Sequence, residues 1–366
     1  MNVPSRLSRY IFVQTLGGVA IAAAMALSAI VLVDVVEQVR VVGTRAELSL
    51  STAAQLTALR APYLFEQTLP FVILAGILFS MVRLTRRNEI TIMRASGISP
   101  WRLAFPAVTL AVLIGMAATA ALSPLGSILQ RRYEIARNAI TNTNASHSDA
   151  FWISQGDKDG EIILRAERAD PAQARLFGVT AFLFYQDKQN HRRFLRRLEA
   201  REAVLVPGAW HLLDVEETSP FNLPAHHDEV TFASTLGREA FSRNALSPSL
   251  TSVYSLPRVI RTSKLAGLAP RAYEVRLHTL LAVPILLAAM ALIAVAFSNR
   301  LHRLGGVSSW IALGVGTGFI AYFLGQISGA LASIGAAPAI AAGWGPPMAA
   351  LFAAGAALSA GESLKS

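Results

Sequence analysis

The chain has no cysteine among its 366 residues. That excludes a disulfide framework and any cysteine-ligated zinc or iron–sulfur site. Charge is scarce as well: 15% of residues are charged and 53% are hydrophobic, where soluble domains carry about 25% charged residues. Mean hydropathy is +0.45. Three catalytic signatures are missing too. No Gly-x-x-x-x-Gly-Lys-Ser/Thr loop exists to cradle a nucleotide, so the chain is not expected to hydrolyse ATP itself. There is no Gly-x-Ser-x-Gly elbow and no His-Glu-x-x-His zinc motif. His226, His227, Asp228 and Glu229 form a tempting metal cluster. A strand would split them between two faces, and Pro224 just before them points to a solvated loop.

What the chain does have is six long apolar runs, three on each side of a polar block. They lie at 10–33, 61–82, 103–122, 275–297, 307–334 and 337–358. Each reaches or approaches the ~20 residues a helix needs to cross a bilayer. Lipid offers no partner to backbone amides, so such runs must be helices. The first run follows Arg6 and Arg9 as a signal peptide would, but it exceeds the usual apolar core of ~7–15 residues. A retained first helix is expected.

The net charge of +10 does not read as a nucleic-acid footprint, because much of it sits in short segments beside the runs. Arg6 and Arg9 precede the first run. Arg83, Arg86, Arg87, Arg94 and Arg102 follow the second. Arg300, His302 and Arg303 separate the fourth and fifth. Six alternating crossings put all three groups on one side, which the positive-inside bias makes cytoplasmic. Lys365 then ends on that side, and the uncharged connection 335–338 lies on the other.

The block 123–272 is thereby expected outside the cytoplasm. Its segments 151–154, 161–165, 178–185, 194–200, 203–206, 209–214 and 229–232 are short and mostly β-branched or aromatic, punctuated by turns such as Pro207-Gly208. Short strands with regular turn signals predict a sandwich or jelly roll. Helical stretches at 125–140 and 256–266 flank it. The predicted organisation is helices 1–3 in 1–122, with a short helix near 84–98 on the cytoplasmic side, a jelly-roll-like β domain in 123–272, and helices 4–6 in 273–366. The fold class is an α-helical membrane protein with an inserted all-β domain.

Glu89, Ile90, Met93 and Arg94 recur at helical spacing within that short helix. Gly97 suits its C-terminus, Asn88 its N-cap, and Ser99-Pro100 the start of the third span. Two readings stand on the residues alone. The helix plugs into a soluble partner, or it is a basic interfacial loop dipping Ile90 and Met93 into lipid.

Residues 88–97, Asn-Glu-Ile-Thr-Ile-Met-Arg-Ala-Ser-Gly, resemble the coupling-helix motif of the lipopolysaccharide-export permeases, the LptF/LptG (YjgP/YjgQ) family. The layout of three spans, β domain and three spans matches along essentially the whole chain. Residues 7–11 (Leu-Ser-Arg-Tyr-Ile), 36–40 (Val-Glu-Gln-Val-Arg) and 318–329 (Gly-Phe-Ile-Ala-Tyr-Phe-Leu-Gly-Gln-Ile-Ser-Gly) resemble the LptG branch. The resemblance implies a permease subunit paired with LptF, two copies of the LptB ATPase, and LptC. ATP and Mg would be bound by the ATPase, and this chain would bind no cofactor. It implies that Glu89 enters a groove of the ATPase, with Ile90, Met93 and Arg94 around it.

Asp34, Glu37 and Arg40 follow the first run at spacings of three, roughly along one helical face. Ionisable groups at membrane depth often line a cavity, or they snorkel to the headgroups. By the resemblance, this region contacts lipid A phosphates. Arg40 fits, since a guanidinium binds phosphate bidentately. Asp34 falls where a basic residue is expected, which indicates either an altered lipid charge or a locally paired Asp34. Glu66, Glu274, Arg276 and His278 are also near membrane depth, and Pro284 predicts a kink. Gly314/Gly318 and Gly325/Gly329 are small-xxx-small pairs, which fit either a generic packed bundle or, as the resemblance implies, a permease–permease interface.

The expected function is a permease of an ABC exporter that extracts lipopolysaccharide from the inner membrane. The alternatives are the paralogous LptF subunit, a mechanotransmission permease, or a membrane-anchored periplasmic scaffold.

Overall fold

A computed structural model gives the fold and describes residues 4–43, 50–141, 151–157, 160–170, 173–186, 192–219, 222–234, 248–265, 270–298 and 307–363. Arg300, His302, Arg303 and Lys365 lie outside them. The chain divides into two compact units, Met1–Glu134 with Glu274–Ser366, and Ile135–Tyr273.

The first unit is helical. Helix α1 is Pro4–Gly43, α2 Leu50–Arg86, α3 Glu89–Ala95 and α4 Pro100–Ala117; a π turn at Ala118–Leu122 leads into α5, Ser123–Thr141. After the second unit come α7, Arg271–Ser298, α8, Val307–Ser333, and α9, Ala339–Ser363. Among the described residues, six helical segments are long and apolar enough to cross a membrane. Several overrun the bilayer: the 40 residues of α1 reach about 60 Å at 1.5 Å per residue. Helices α2 and α7 are the buried pair. Ile73, Ile77 and Met81 of α2 share one buried core with Leu287, Met290 and Ile293 of α7 and Leu103, Ala107 and Leu110 of α4.

Water-free packing between helices favours small residues, and the close crossings here are built on glycine. A Cβ on Gly18 of α1 would lie 2.4 Å from the Gly76 carbonyl oxygen of α2, and one on Gly76 2.5 Å from the Val19 Cα. A Cβ on Gly115 of α4 would lie 2.5 Å from the Pro284 Cα of α7. The π turn sits just before Pro124, whose ring and missing N–H disturb the α-ladder. Thr119 in that turn donates its hydroxyl to the Leu280 carbonyl of α7 at 3.0 Å.

Among its described residues the second unit holds six antiparallel strands in chain order in one sheet: β1 Phe151–Asp157, β2 Gly160–Asp170, β3 Arg175–Gln186, β4 Arg192–Val206, β5 Ala209–Ser219 and β6 Asn222–Ala233. The β domain falls between the third and fourth spans as the sequence predicts. Among the described residues its sheet is a meander, without the crossovers of a Greek-key jelly roll. Helix α6, Leu256–Leu265, follows.

A crease gives this sheet its inside. Register pairing skips the row Glu167, Gly178, Arg201, Asp214 and Asp228, so the interruption crosses five strands. Gly178 and Asp214 there have φ of 60° and 59°, the left-handed region. Along β4 the buried positions change parity across the row, from Leu198 and Ala200 to Ala203 and Leu205. In β5 they change from Trp210 and Leu212 to Val215. Flipping the pleat on both strands at one line keeps the apolar side chains of both halves in one core, around Trp210, Leu164, Leu176 and Leu198.

Candidate functional site

The turn between α2 and α3 is made by Asn88 at φ 61°, ψ 8°. Asparagine tolerates this region better than most side chains. The expected N-cap is therefore corrected: Asn88 stands at that position, but its side chain makes no cap hydrogen bond, because its backbone is in the left-handed turn. The other end closes as predicted. Gly97 holds φ 81°. Its N–H donates to Arg94 O at 3.1 Å, and Ile98 N–H to Met93 O at 3.2 Å, the paired bonds of a Schellman motif. Ser99 then caps α4, its hydroxyl accepting from the Arg102 N–H, with Pro100 in the first turn.

This pins α3 against the membrane unit and decides what each side chain faces. Ile90 is 2% exposed in the helical core. Met93 packs half-buried on the same core, and Arg94 is half-buried. Ile90 is thus an anchor of α3, while Ile92, which sequence reasoning passed over, is 64% exposed. Glu89 is half-buried and accepts a 2.6 Å hydrogen bond from the Tyr10 hydroxyl of α1. The carboxylate is held at the first turn of α3, where the helix dipole favours a negative charge, and is tied to the start of the first span. Tyr10 carried no signal as a partner, since it lies 79 residues away.

At the far end of α1, three residues read as one face part company. A spacing of three turns a helix by 300°, so each step drifts roughly 60°. Asp34 is buried at 4%, Glu37 is half-buried, and the Arg40 side chain is 76% exposed. Arg60 of α2 donates to Asp34 Oδ1 at 2.9 Å, and Gln38 Nε2 to Asp34 Oδ2 at 3.3 Å. Gln38 also bonds the Tyr133 hydroxyl at 3.1 Å, and the Arg60 guanidinium lies 5.4 Å from the centroid of the Tyr133 ring. Asp34 is locally paired, which answers one of its two readings. Arg60 is the partner that local spacing could not reveal. Arg40 pairs with Glu37 at 3.0 Å on the surface, where such a bond is weak and exchangeable. Beside them on α1, Leu27, Ser28, Val31, Leu32 and Val35 line an apolar groove of about 530 Å³.

Arg276 and His278, at the entry to the fourth span, are paired across helices. Arg276 of α7 donates to Glu66 of α2 at 3.3 Å, and Trp344 Nε1 of α9 donates to His278 Nδ1 at 3.4 Å. The glycines of α8 divide. Gly318 packs within the fold, where a Cβ would lie 2.4 Å from Leu74 Cδ2; on Gly314 it would lie 3.2 Å from Phe297 Cβ. A Cβ on Gly329 would touch Val275 at 3.7 Å, and one on Gly325 would meet nothing within 4 Å. Exposed apolar side chains run along α8 at Leu313, Ile320, Phe323, Leu324 and Ile327, and along α1 at Val13, Leu16, Met25, Leu32 and Val36.

In the β unit, His226 to Glu229 lie within β6, a correction to the expected loop. Pro224 is tolerated because β6 is an edge strand of the described sheet. His227 faces Glu217 at 3.5 Å, while His226 faces Asp214 at 3.8 Å.

Six spanning helices, a cap-defined helix on the turn after the second, and an inserted β domain define a polytopic membrane permease. The sequence model of the lipopolysaccharide export system permease LptF/LptG matches residues 9–360, and the chain belongs to that family. Two relatives are similar over most of their length. The lipopolysaccharide export system permease protein LptG of Escherichia coli (strain K12) is 25% identical over 297 residues, 79% of this chain and 80% of the relative. The protein of the same name from Haemophilus influenzae is 23% identical over 348 residues, 91% and 92% of the two chains.

Proposed function

We propose that this chain is an LptG-type permease subunit of the ABC exporter that extracts lipopolysaccharide from the inner membrane. In this reading it pairs with LptF, two LptB ATPase subunits and LptC. The termini are cytoplasmic and the β domain is periplasmic. The observation that carries the reading is the α3 device. A seven-residue helix is fixed by a Schellman motif and a buried Ile90, and it holds Glu89 by a hydrogen bond to the first span. A surface loop would need none of these ties. The LptG assignment over LptF rests on likeness to the two LptG relatives.

The exposed face of α3, with Glu89 and Ile92, docks the ATPase. Nucleotide-driven closure of the ATPase moves α3, and the Tyr10 tie carries that movement into α1. At the other end Arg40 exchanges Glu37 for a lipid phosphate, a stronger bidentate partner. Asp34 does not repel that phosphate in this reading, because Arg60 neutralises it. Acyl chains lie along the apolar faces of α1 and α8, where Gly325 is open to the partner permease.

The test is co-purification of the tagged chain, wild type and Glu89→Ala, with identification of associated proteins and lipid. Recovery of an ABC ATPase and lipopolysaccharide with wild type, and loss of the ATPase with Glu89→Ala, is expected. A folded chain that recovers neither in either form overturns the proposal in favour of a standalone scaffold.

A further inference from the structure

The buried helix α2 has one exposed stripe at its α3 end. Ala75 and Phe79 are exposed and Val82 is half-buried, at steps of four and three residues. The stripe ends in three exposed arginines, Arg83, Arg86 and Arg87, also within one turn. With Val315 of α8 opposite, these residues bound a groove of about 570 Å³. That volume is within the range of small-ligand sites. Among the described residues no acidic side chain lines it.

We propose that this groove binds one anionic glycerophospholipid from the leaflet at the α3 end. The polarity gradient matches such a lipid from end to end. The apolar stripe from Ala75 to Val82 covers about 10 Å along the helix, enough for the upper part of an acyl chain. The basic turn stands where the phosphate would lie. Positive-inside charge alone would explain arginines beside a span, but not an apolar groove leading into them. All three bases are arginine, whose planar fork binds phosphate bidentately where lysine acts as a point charge. The site is separate from the Arg40 end of α1. It also adjoins α3 through only one residue, Asn88, so its occupant would buttress the turn that positions Glu89.

The experiment uses the full chain with its co-purifying subunits in nanodiscs of phosphatidylcholine. Each preparation carries a photoactivatable phosphatidylglycerol or phosphatidylcholine at equal mole fraction, and labelled residues are read by mass spectrometry. Phosphatidylglycerol is expected to label the 75–82 stripe preferentially. Arg83→Gln/Arg86→Gln should lower that labelling roughly tenfold or more, since charge-assisted bonds to phosphate are lost. Ala75→Trp fills the groove without changing charge and should lower it as well. Labelling of α9 serves as the internal reference, and recovery of the other subunits confirms folding. Equal labelling by the two lipids, or labelling insensitive to both variants, overturns the proposal. So does a stripe left unlabelled because a neighbouring protein chain covers it. Lipopolysaccharide co-purification is read from the same samples, so failure of this site is distinct from failure of the transport assignment.

Discussion

The Asp34–Arg60 pair gives the sharpest test of how the far end of α1 is built. The Asp34 side chain is 5% exposed and that of Arg60 31%. Replacing Arg60 by Met keeps the length and removes the charge. Asp34 then retains only the 3.3 Å bond from Gln38 among its contacts described above. Stranding one member of a buried pair costs about 3–5 kcal/mol. Because Arg60 reaches solvent, the lower end applies, about 3 kcal/mol. Loss of the contact with the Tyr133 ring adds about 0.5 kcal/mol. Asp34→Asn is milder. The amide oxygen still accepts from Arg60, whose charge can turn to water, so about 1 kcal/mol is expected. The double variant leaves no buried charge and should cost about 1.5–2 kcal/mol, well below the sum of the singles. The coupling is thus about 2.5–3 kcal/mol. Unfolding of the purified chain in mixed micelles of rising SDS fraction, followed by circular dichroism, measures all four corners. If Asp34→Asn costs as much as Arg60→Met, or the coupling falls below about 0.5 kcal/mol, Asp34 is effectively hydrated and the pairing argument fails.

Four further outcomes follow from the packing and hydrogen bonding. Gly115→Ala drives a methyl to 2.5 Å from the Pro284 backbone and should lower stability by about 3 kcal/mol, the upper range for overpacking. Gly325→Ala, with nothing within 4 Å, should leave the isolated chain unchanged in the same assay. Gly178→Ala should destabilise the β unit by about 1–2 kcal/mol, for a non-glycine residue at φ 60°, plus displacement of the Glu167 side chain 2.7 Å from the new methyl; fluorescence of Trp210 with the other four tryptophans replaced by Phe reports the loss. Tyr10→Phe removes one hydrogen bond to Glu89. It should shift stability by less than about 1 kcal/mol while reducing ATP turnover of the assembled complex, and wild-type behaviour in both measurements would remove Tyr10 from the coupling path.

What the sequence made legible was what a single strong constraint dictates locally. Lipid forces apolar runs into helices, so all six spans could be read, as could the Schellman glycine and the Ser99-Pro100 start of α4. The strands were legible only up to the crease. Expected segments began at Gly178, broke between Ala200 and Ala203, ended at Asp214 and restarted at Glu229, each beside the interrupted row. Alternation is read as a fixed period, and a phase flip mid-strand looks like two strands with a gap. Long-range partners were illegible for a different reason. Asp34 with Arg60, Glu66 with Arg276 and Tyr10 with Glu89 are 26, 210 and 79 residues apart, and helical spacing says nothing about them. Ile90 and Ile92 were misweighted because a short amphipathic helix does not declare which face its scaffold will take.

The fastenings along α1 bear on how movement could cross the membrane. Near its middle, Gly18 and Gly76 bring two backbones together, and the Ser80 hydroxyl of α2 contacts the carbonyls of both Gln14 and Gly76 at 3.0 and 2.9 Å. Sliding α1 by one residue toward its N-terminus would set Val19 in place of Gly18, against the Gly76 carbonyl. Packed interfaces of this kind resist gradual sliding. At one end Tyr10 holds Glu89 of α3, and at the other Asp34 holds Arg60 of α2. The two ties are about 36 Å apart along the helix, longer than the hydrocarbon core of ~30 Å. In the proposed exporter, helices α1 and α2 are therefore expected to move as one body, and a displacement applied to α3 is expected to arrive at the Arg40 end as rotation or tilt rather than slip. The exposed apolar faces of α1 and α8 carry no comparable ties among the described residues, so relative motion belongs on those faces.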